Sequence, residues 1–206
     1  MAASDTVLAN MAFGYLGLGT VADLSSTTDE KVVAANLYLE NVRGRLLRAH
    51  PWGFARVEFQ LTGEADDTSY EWSKSYTAPN TTTMAKALYL IDGVRIGSHT
   101  VPSPPIPFEV RSIDGNTQKI YTDEDDAYLA YTKYVTDTTK YTQEFDKLFA
   151  LELALEIMPK LGKGDPYNMG PKLAQMRDDA FAKAVAADFS TRVQDDPPDP
   201  EMIAIR

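Results

Sequence analysis

Apolar residues recur at intervals of three and four from Val32 through Ala35, Leu39, Val42 and Leu46 to Ala49, and the pattern stops at His50-Pro51-Trp52-Gly53-Phe54-Ala55-Arg56. That spacing predicts a long helix with one buried stripe. Thr27 and Glu30 have the separation of a capping box at its start, and Arg43, Arg45 and Arg48 suit the negative end of its dipole. Pro51 cannot continue the helix and pushes His50 into extended geometry, while Gly53 supplies backbone freedom for a sharp corner. The run Arg56-Val57-Glu58-Phe59-Gln60-Leu61 then predicts a strand, which makes the Trp52 ring a plug between helix and sheet, flanked by Pro51 and Phe54.

The same reading of periods organises the rest of the chain. Ser4 can cap a first helix over residues 5 to about 16, in which Val7, Leu8, Met11, Ala12 and Tyr15 recur at helical spacing and Gly17 and Gly19 provide the stop. From residue 54 to about 135 the pattern changes to short runs of Val, Ile, Tyr, Thr and Phe, separated by turn signals at Gly63, Pro79-Asn80, Asp92-Gly93 and Asp114-Gly115. Ile113-Asp114-Gly115-Asn116 suits a hairpin, and Pro102, Pro104, Pro105 and Pro107 exclude a central strand there. After Thr142, Phe145, Leu148, Phe149, Leu151, Leu153, Leu155, Ile157 and Met158 leave little polar face, so this helix should be deeply buried; Gly162, Gly164 and Pro166 break it. A last helix carries Leu173, Met176, Ala180, Ala184 and Ala187 on one stripe beside Phe181, Val185 and Phe189, with Pro171 either opening or kinking it. The expected fold class is α+β: a helical bundle from both chain ends, residues 1–53 and 137–194, with a central β-sheet or barrel-like unit, residues 54–136, inserted between them and an extended tail at 195–206.

Candidate chemistry adds little to this picture. Gly14, Gly17 and Gly19 follow a helix, whereas a phosphate-binding glycine fingerprint follows a strand, so they read as helix punctuation. Gly162-Lys163-Gly164-Asp165 lacks the spacing and the hydroxyl of a phosphate loop. Asp123-Glu124-Asp125-Asp126 fails the calcium-loop pattern because Tyr128 stands where its glycine belongs, and His50 and His99 belong to no ligand motif. No nucleophile elbow is present, so no catalytic residue, cofactor or metal is expected.

The chain resembles a known family at several points in order. Leu8-Ala9-Asn10-Met11-Ala12-Phe13-Gly14-Tyr15-Leu16-Gly17, the His50–Arg56 corner, Trp72-Ser73-Lys74-Ser75-Tyr76-Thr77-Ala78-Pro79, the hairpin over 108–121, Tyr131-Thr132-Lys133-Tyr134-Val135-Thr136-Asp137 leading to Phe145, and the Leu/Ala-rich helix over 148–161 together resemble the tail tubular protein A family. These are adaptors joining head to tail in short-tailed bacteriophages. Asn80 departs from the acidic residue the family carries after the Pro, and residues 88–107 fall outside the resemblance. The resemblance implies a structural virion protein at the head-to-tail interface, assembled in the bacterial cytoplasm, with no reaction to catalyse. Its implied partners are the portal protein, the tail nozzle and further copies of itself in a ring of about twelve, through which DNA passes without sequence recognition. In such a ring part of the stripe over 32–49 would meet a neighbouring subunit.

Composition narrows the alternatives. The 206 residues, 44% of them hydrophobic, suffice for a real core in one or two small domains. Cysteine is absent, which suits a reducing compartment, and neither a secretory signal nor a membrane span is evident, so a soluble chain is expected. A net charge of −10 argues against a sequence-reading nucleic-acid binder, which needs clustered Lys and Arg, and an acidic ring would keep passing DNA from adhering to its wall. A tail-associated glycan-hydrolysing enzyme is one alternative, and Trp72, Tyr70, Tyr76 and Tyr89 motivate another, a glycan- or receptor-binding module, although strand positions already account for buried aromatics. The tail Asp195-Asp196-Pro197-Pro198-Asp199-Pro200-Glu201-Met202-Ile203-Ala204-Ile205-Arg206 reads as an acidic spacer and an apolar anchor, and Met202, Ile203 and Ile205 are the expected contacts to a neighbouring subunit or the portal.

Overall fold

In the computed structural model residues 4–65, 71–80, 83–92, 104–114, 117–161 and 169–190 are described, and they form an α+β fold. Helix α1, Asp5–Tyr15, starts at Ser4, whose extended backbone lets its hydroxyl accept from the Val7 N–H. It ends in a Schellman motif, with Gly17 at φ 69° and Leu18 and Gly17 N–H groups donating to the carbonyls of Phe13 and Gly14. Helix α2, Glu30–Ala49, is capped by Asp29, not by the expected Thr27: the Asp29 carboxylate accepts from the Lys31 N–H at 2.9 Å, and Ser26 Oγ accepts from the Asp29 N–H. The expected stripe holds at Val32, Ala35, Leu39, Val42 and Leu46, but Ala49 is exposed.

Helix α3, Gln143–Leu161, is the axis of the bundle and packs against α1, α2 and α4, the last spanning Met169–Ser190. Its burial matches its all-round apolar sequence, with Phe145, Leu148, Phe149, Leu151, Leu153 and Ile157 fully enclosed. Pro159 lies in its last turn. Pro171 opens α4 without interrupting it, because it sits in the first turn, where backbone N–H groups have no partner in the helix. The expected stripe of α4 is narrower than its sequence suggests: Leu173, Ala180 and Ala184 are buried, whereas Phe189 is exposed.

The segment between α2 and α3 forms two antiparallel sheets. One has the order β1-β7-β4, from Arg56–Gln60, Tyr128–Lys133 and Met84–Ile91; the other has the order β2-β3-β6-β5, from Thr62–Ala65, Lys74–Thr77, Thr117–Thr122 and Glu109–Asp114. β1 and β2 are separated only by the buried Leu61, whose N–H donates to the Ala127 carbonyl, so residues 56–65 pass from an edge of one sheet to an edge of the other. Gly63 therefore lies inside β2, not in the expected turn. The expected hairpin is present as β5 and β6, paired from Glu109↔Tyr121 to Asp114↔Thr117. Residues 104–108 are outside any strand, as their prolines require.

Buried apolar residues fall into two clusters. One gathers Leu8, Phe13, Leu47, Trp52, Phe145 and Phe149 among the helices; the other gathers Leu61, Tyr76, Leu90, Ile120, Leu129 and Tyr131 between the sheets.

Candidate functional site

The His50–Arg56 corner folds as its sequence dictates and then does more. His50 is extended at φ −143°, ψ 146°, as the following Pro51 demands, and Gly53–Ala55 forms one 3₁₀ turn before β1 begins. Trp52 is 1% exposed. Its Nε1 donates to the Leu46 carbonyl in the last turn of α2 at 2.8 Å, and its ring meets Phe145, Phe181 and Phe54. Those partners lie in α3, α4 and the corner itself. The ring thus plugs the helical core, where the sequence suggested a place between helix and sheet.

A second group completes the corner from the far end of the chain. Asp188 of α4 accepts the Gly53 N–H on Oδ1 at 2.6 Å and faces His50 Nε2 with Oδ2 at 3.1 Å. The His50 ring packs edge-on against Trp52 and Phe189. A Cβ on Gly53 would stand 3.0 Å from Asp188 Oδ1 and press on it, so the glycine suits the close approach of that carboxylate. The sequence reading assigned it to backbone freedom instead, and no positive φ occurs there. A carboxylate 138 positions away leaves no local signal.

Arg43 is the other group whose role the sequence misplaced. Read as a cation at the helix end, its side chain is instead fully buried. One terminal nitrogen donates to the Thr136 carbonyl and to the Tyr141 hydroxyl, the other to Asp5 Oδ1 at 2.7 Å, and Nε faces Glu40 Oε1 at 3.2 Å. Burial opposes the guanidinium charge, but the Asp5 hydrogen bond and the charges around it hold its pKa above the usual arginine value. Burial pushes Tyr141 up to about 12 against the pull of Arg43, so its hydroxyl stays protonated and donates to the Val135 carbonyl at 2.6 Å. One cation therefore joins α1, α2 and the stretch that returns from the β unit. Tyr134, close against Gly44, adds a bond from its hydroxyl to Glu40 Oε2 at 2.8 Å. Across the bundle, the buried Glu152 accepts from Arg45 of α2 and Arg177 of α4.

The remaining candidates separate. Tyr76 is buried with its hydroxyl on the Glu124 carbonyl, Tyr89 lies beneath the Arg56 guanidinium and is bonded to it, and Trp72 donates to Glu109. Each has a partner within the β unit. Tyr70, His99 and the tail residues Met202, Ile203 and Ile205 lie outside the described residues. In the acidic run, Asp123 accepts from the Ser73 N–H and hydroxyl and Asp125 pairs with Lys74. Among the described residues no group of three or more His, Asp or Glu side chains is placed to hold a metal ion, and no helix is long and apolar enough to cross a membrane. No protein-family model matches the sequence, and no curated protein matches it.

Proposed function

We propose that the chain is a structural adaptor of a short-tailed bacteriophage virion, assembling as a ring of about twelve copies between portal and tail nozzle and extending the channel through which DNA is ejected. The sequence resemblance motivates this reading, and one feature of the fold supports it most. Val33 and Leu37, one turn apart on α2 and outside its buried stripe, point outward at 38% and 65% exposure. Such a pair on a rigid helix suits contact with a neighbouring copy. The helical unit supplies the body of the molecule, and the chain enters the β unit through a corner held by Trp52 and Asp188. The tail, with Met202, Ile203 and Ile205, is assigned to a neighbouring subunit or the portal once the ring assembles.

The test is mass measurement of the chain alone and after mixing with purified portal rings. Attachment of a ring of copies to the portal is expected, together with weak attachment of a chain lacking residues 197–206. Absence of any attachment by the intact chain would sink the adaptor reading. Binding to cell-surface glycans in that case would favour the glycan-binding alternative.

A further inference from the structure

The two sheets are joined on one side by the continuous segment 56–65, while on the other side β4 and β5 are both edge strands: among the described residues β4 pairs only with β7, and β5 only with β6. Between them opens a cleft of about 340 Å³, lined by residues 84–87 of β4, Val110 of β5, Gln118 of β6 and Arg48 from the end of α2. An edge strand presents unpaired backbone donors and acceptors, and an open seam beside it is a receptor for one more strand. The two cations at this seam, Arg48 and Lys86, are exposed and make no ion pair among the described residues. In a chain of net charge −10 such a pair selects an acidic ligand.

We infer that this seam is a peptide-binding site and that, in the free chain, it is occupied by the chain's own C-terminal segment 201–205. Three observations point to that occupant. Helix α4 ends at Ser190, and its Phe189 packs on His50, two residues beyond Arg48, so the tail departs beside the helix end that contributes one of the two cations. Sixteen residues follow Ser190, a reach of up to ~50 Å when extended, ample to return along the seam. Their chemistry matches it as well. Asp195, Asp196, Asp199 and Glu201 bring acidic charge to Arg48 and Lys86, and after Pro200 the stretch Glu201-Met202-Ile203-Ala204-Ile205 has an N–H at every position and the apolar residues that a strand against Met84, Ala85, Ala87 and Val110 requires. Tethering raises the effective concentration of the segment, so a short strand suffices. The site is a property of the free chain and does not depend on the adaptor reading.

Hydrogen exchange on the full-length protein without portal tests this, comparing the natural chain with Ile203→Asp/Ile205→Asp and with Arg48→Glu/Lys86→Glu. Expected is exchange at residues 85–87 about tenfold faster in both variants, with α3 unchanged and with protection in the natural chain independent of protein concentration; Met84, whose N–H donates to the Asn80 carbonyl, is left out of the readout. Equal exchange at residues 85–87 in the natural chain and the Ile203→Asp/Ile205→Asp variant would overturn the proposal. So would protection that fades on dilution, because the occupant would then be a second copy. Neither result bears on portal attachment, so the two readings fail separately.

Discussion

The helical half and the β half of this chain are held together by different means. In the helices, long side chains cross from element to element: Trp52 reaches α3 and α4, Arg43 reaches α1 and the return from β7, and Glu152 joins Arg45 to Arg177. In the β unit, ladders of backbone bonds do most of the joining, the core between the sheets is smaller, and among the described residues β4 and β5 are edge strands. The contrast teaches where stability is concentrated. A few residues of the helical half should each matter greatly, whereas single changes in the β half should be absorbed.

Trp52→Ala is the most severe test of that contrast. Removing a fully buried indole that also bonds the Leu46 carbonyl of α2 should cost ~3 to 5 kcal/mol in thermal unfolding. Trp72, the other tryptophan, then reports the β unit by fluorescence. If its signal survives after the helical signal is lost, the two halves unfold separately; a single joint transition would show that the corner couples them. Arg43→Ala comes next. Breaking a buried ion pair costs about 3 to 5 kcal/mol when the partner is left buried, but Asp5 and Glu40 are substantially exposed and rehydrate, so about 2 kcal/mol is expected in urea unfolding. A loss below half that would mean the cation is dispensable and the contrast overstated.

Asp188→Ala leaves the Gly53 N–H and His50 without their shared carboxylate, a loss of about 1 to 3 kcal/mol. Proteolysis near residues 53–56 should increase with it, and unchanged cleavage would remove Asp188 as the clamp of the corner. In the β half, Tyr76→Phe deletes one bond to the Glu124 carbonyl and should cost only about 1 kcal/mol, read from the same melts. A loss as large as that of Arg43→Ala would erase the difference between the halves.

The smallest effect is also the most specific in sign. Burial raises the Asp146 carboxyl from 3.8 to about 6, so its contribution to stability is full below the unfolded value and is lost as pH rises through about 6. Asp146→Asn removes this dependence. The melting temperature of the variant relative to the natural chain should therefore climb between pH 4 and pH 7, and a flat or falling difference would contradict the assignment.

The sequence disclosed the periodic parts and concealed the distant ones. The α-helices of the described residues follow from local spacing, with α1 ending at the expected glycine stop, Gly17, because a helix buries its face at fixed intervals. The caps were less secure: Thr27 and Glu30 have the right separation, yet Asp29 sits nearer the first turn and takes the Lys31 N–H. Gly63 looked like a turn and is strand, since an edge near a sheet-to-sheet passage tolerates it. At the corner, Pro51 and Trp52 were legible because a proline acts on its immediate neighbours. Asp188 was not, and neither was the burial of Arg43, which depends on α1 and the 135–141 stretch converging on it. Charge near a helix end suggests a solvated role; only tertiary neighbours reveal otherwise.

The pairing of β1 with β7 has one more consequence. Arg56, the first residue of the β unit, stands opposite Thr132, near its last. The chain thus leaves the helical body and returns to it at neighbouring points, like a loop drawn through a ring. Such an excursion can lengthen, shorten or change its outer turns while the two attachment points stay where they are. The β unit is in that sense a cassette: its surface is free to diverge toward new partners at little risk to the body that carries it.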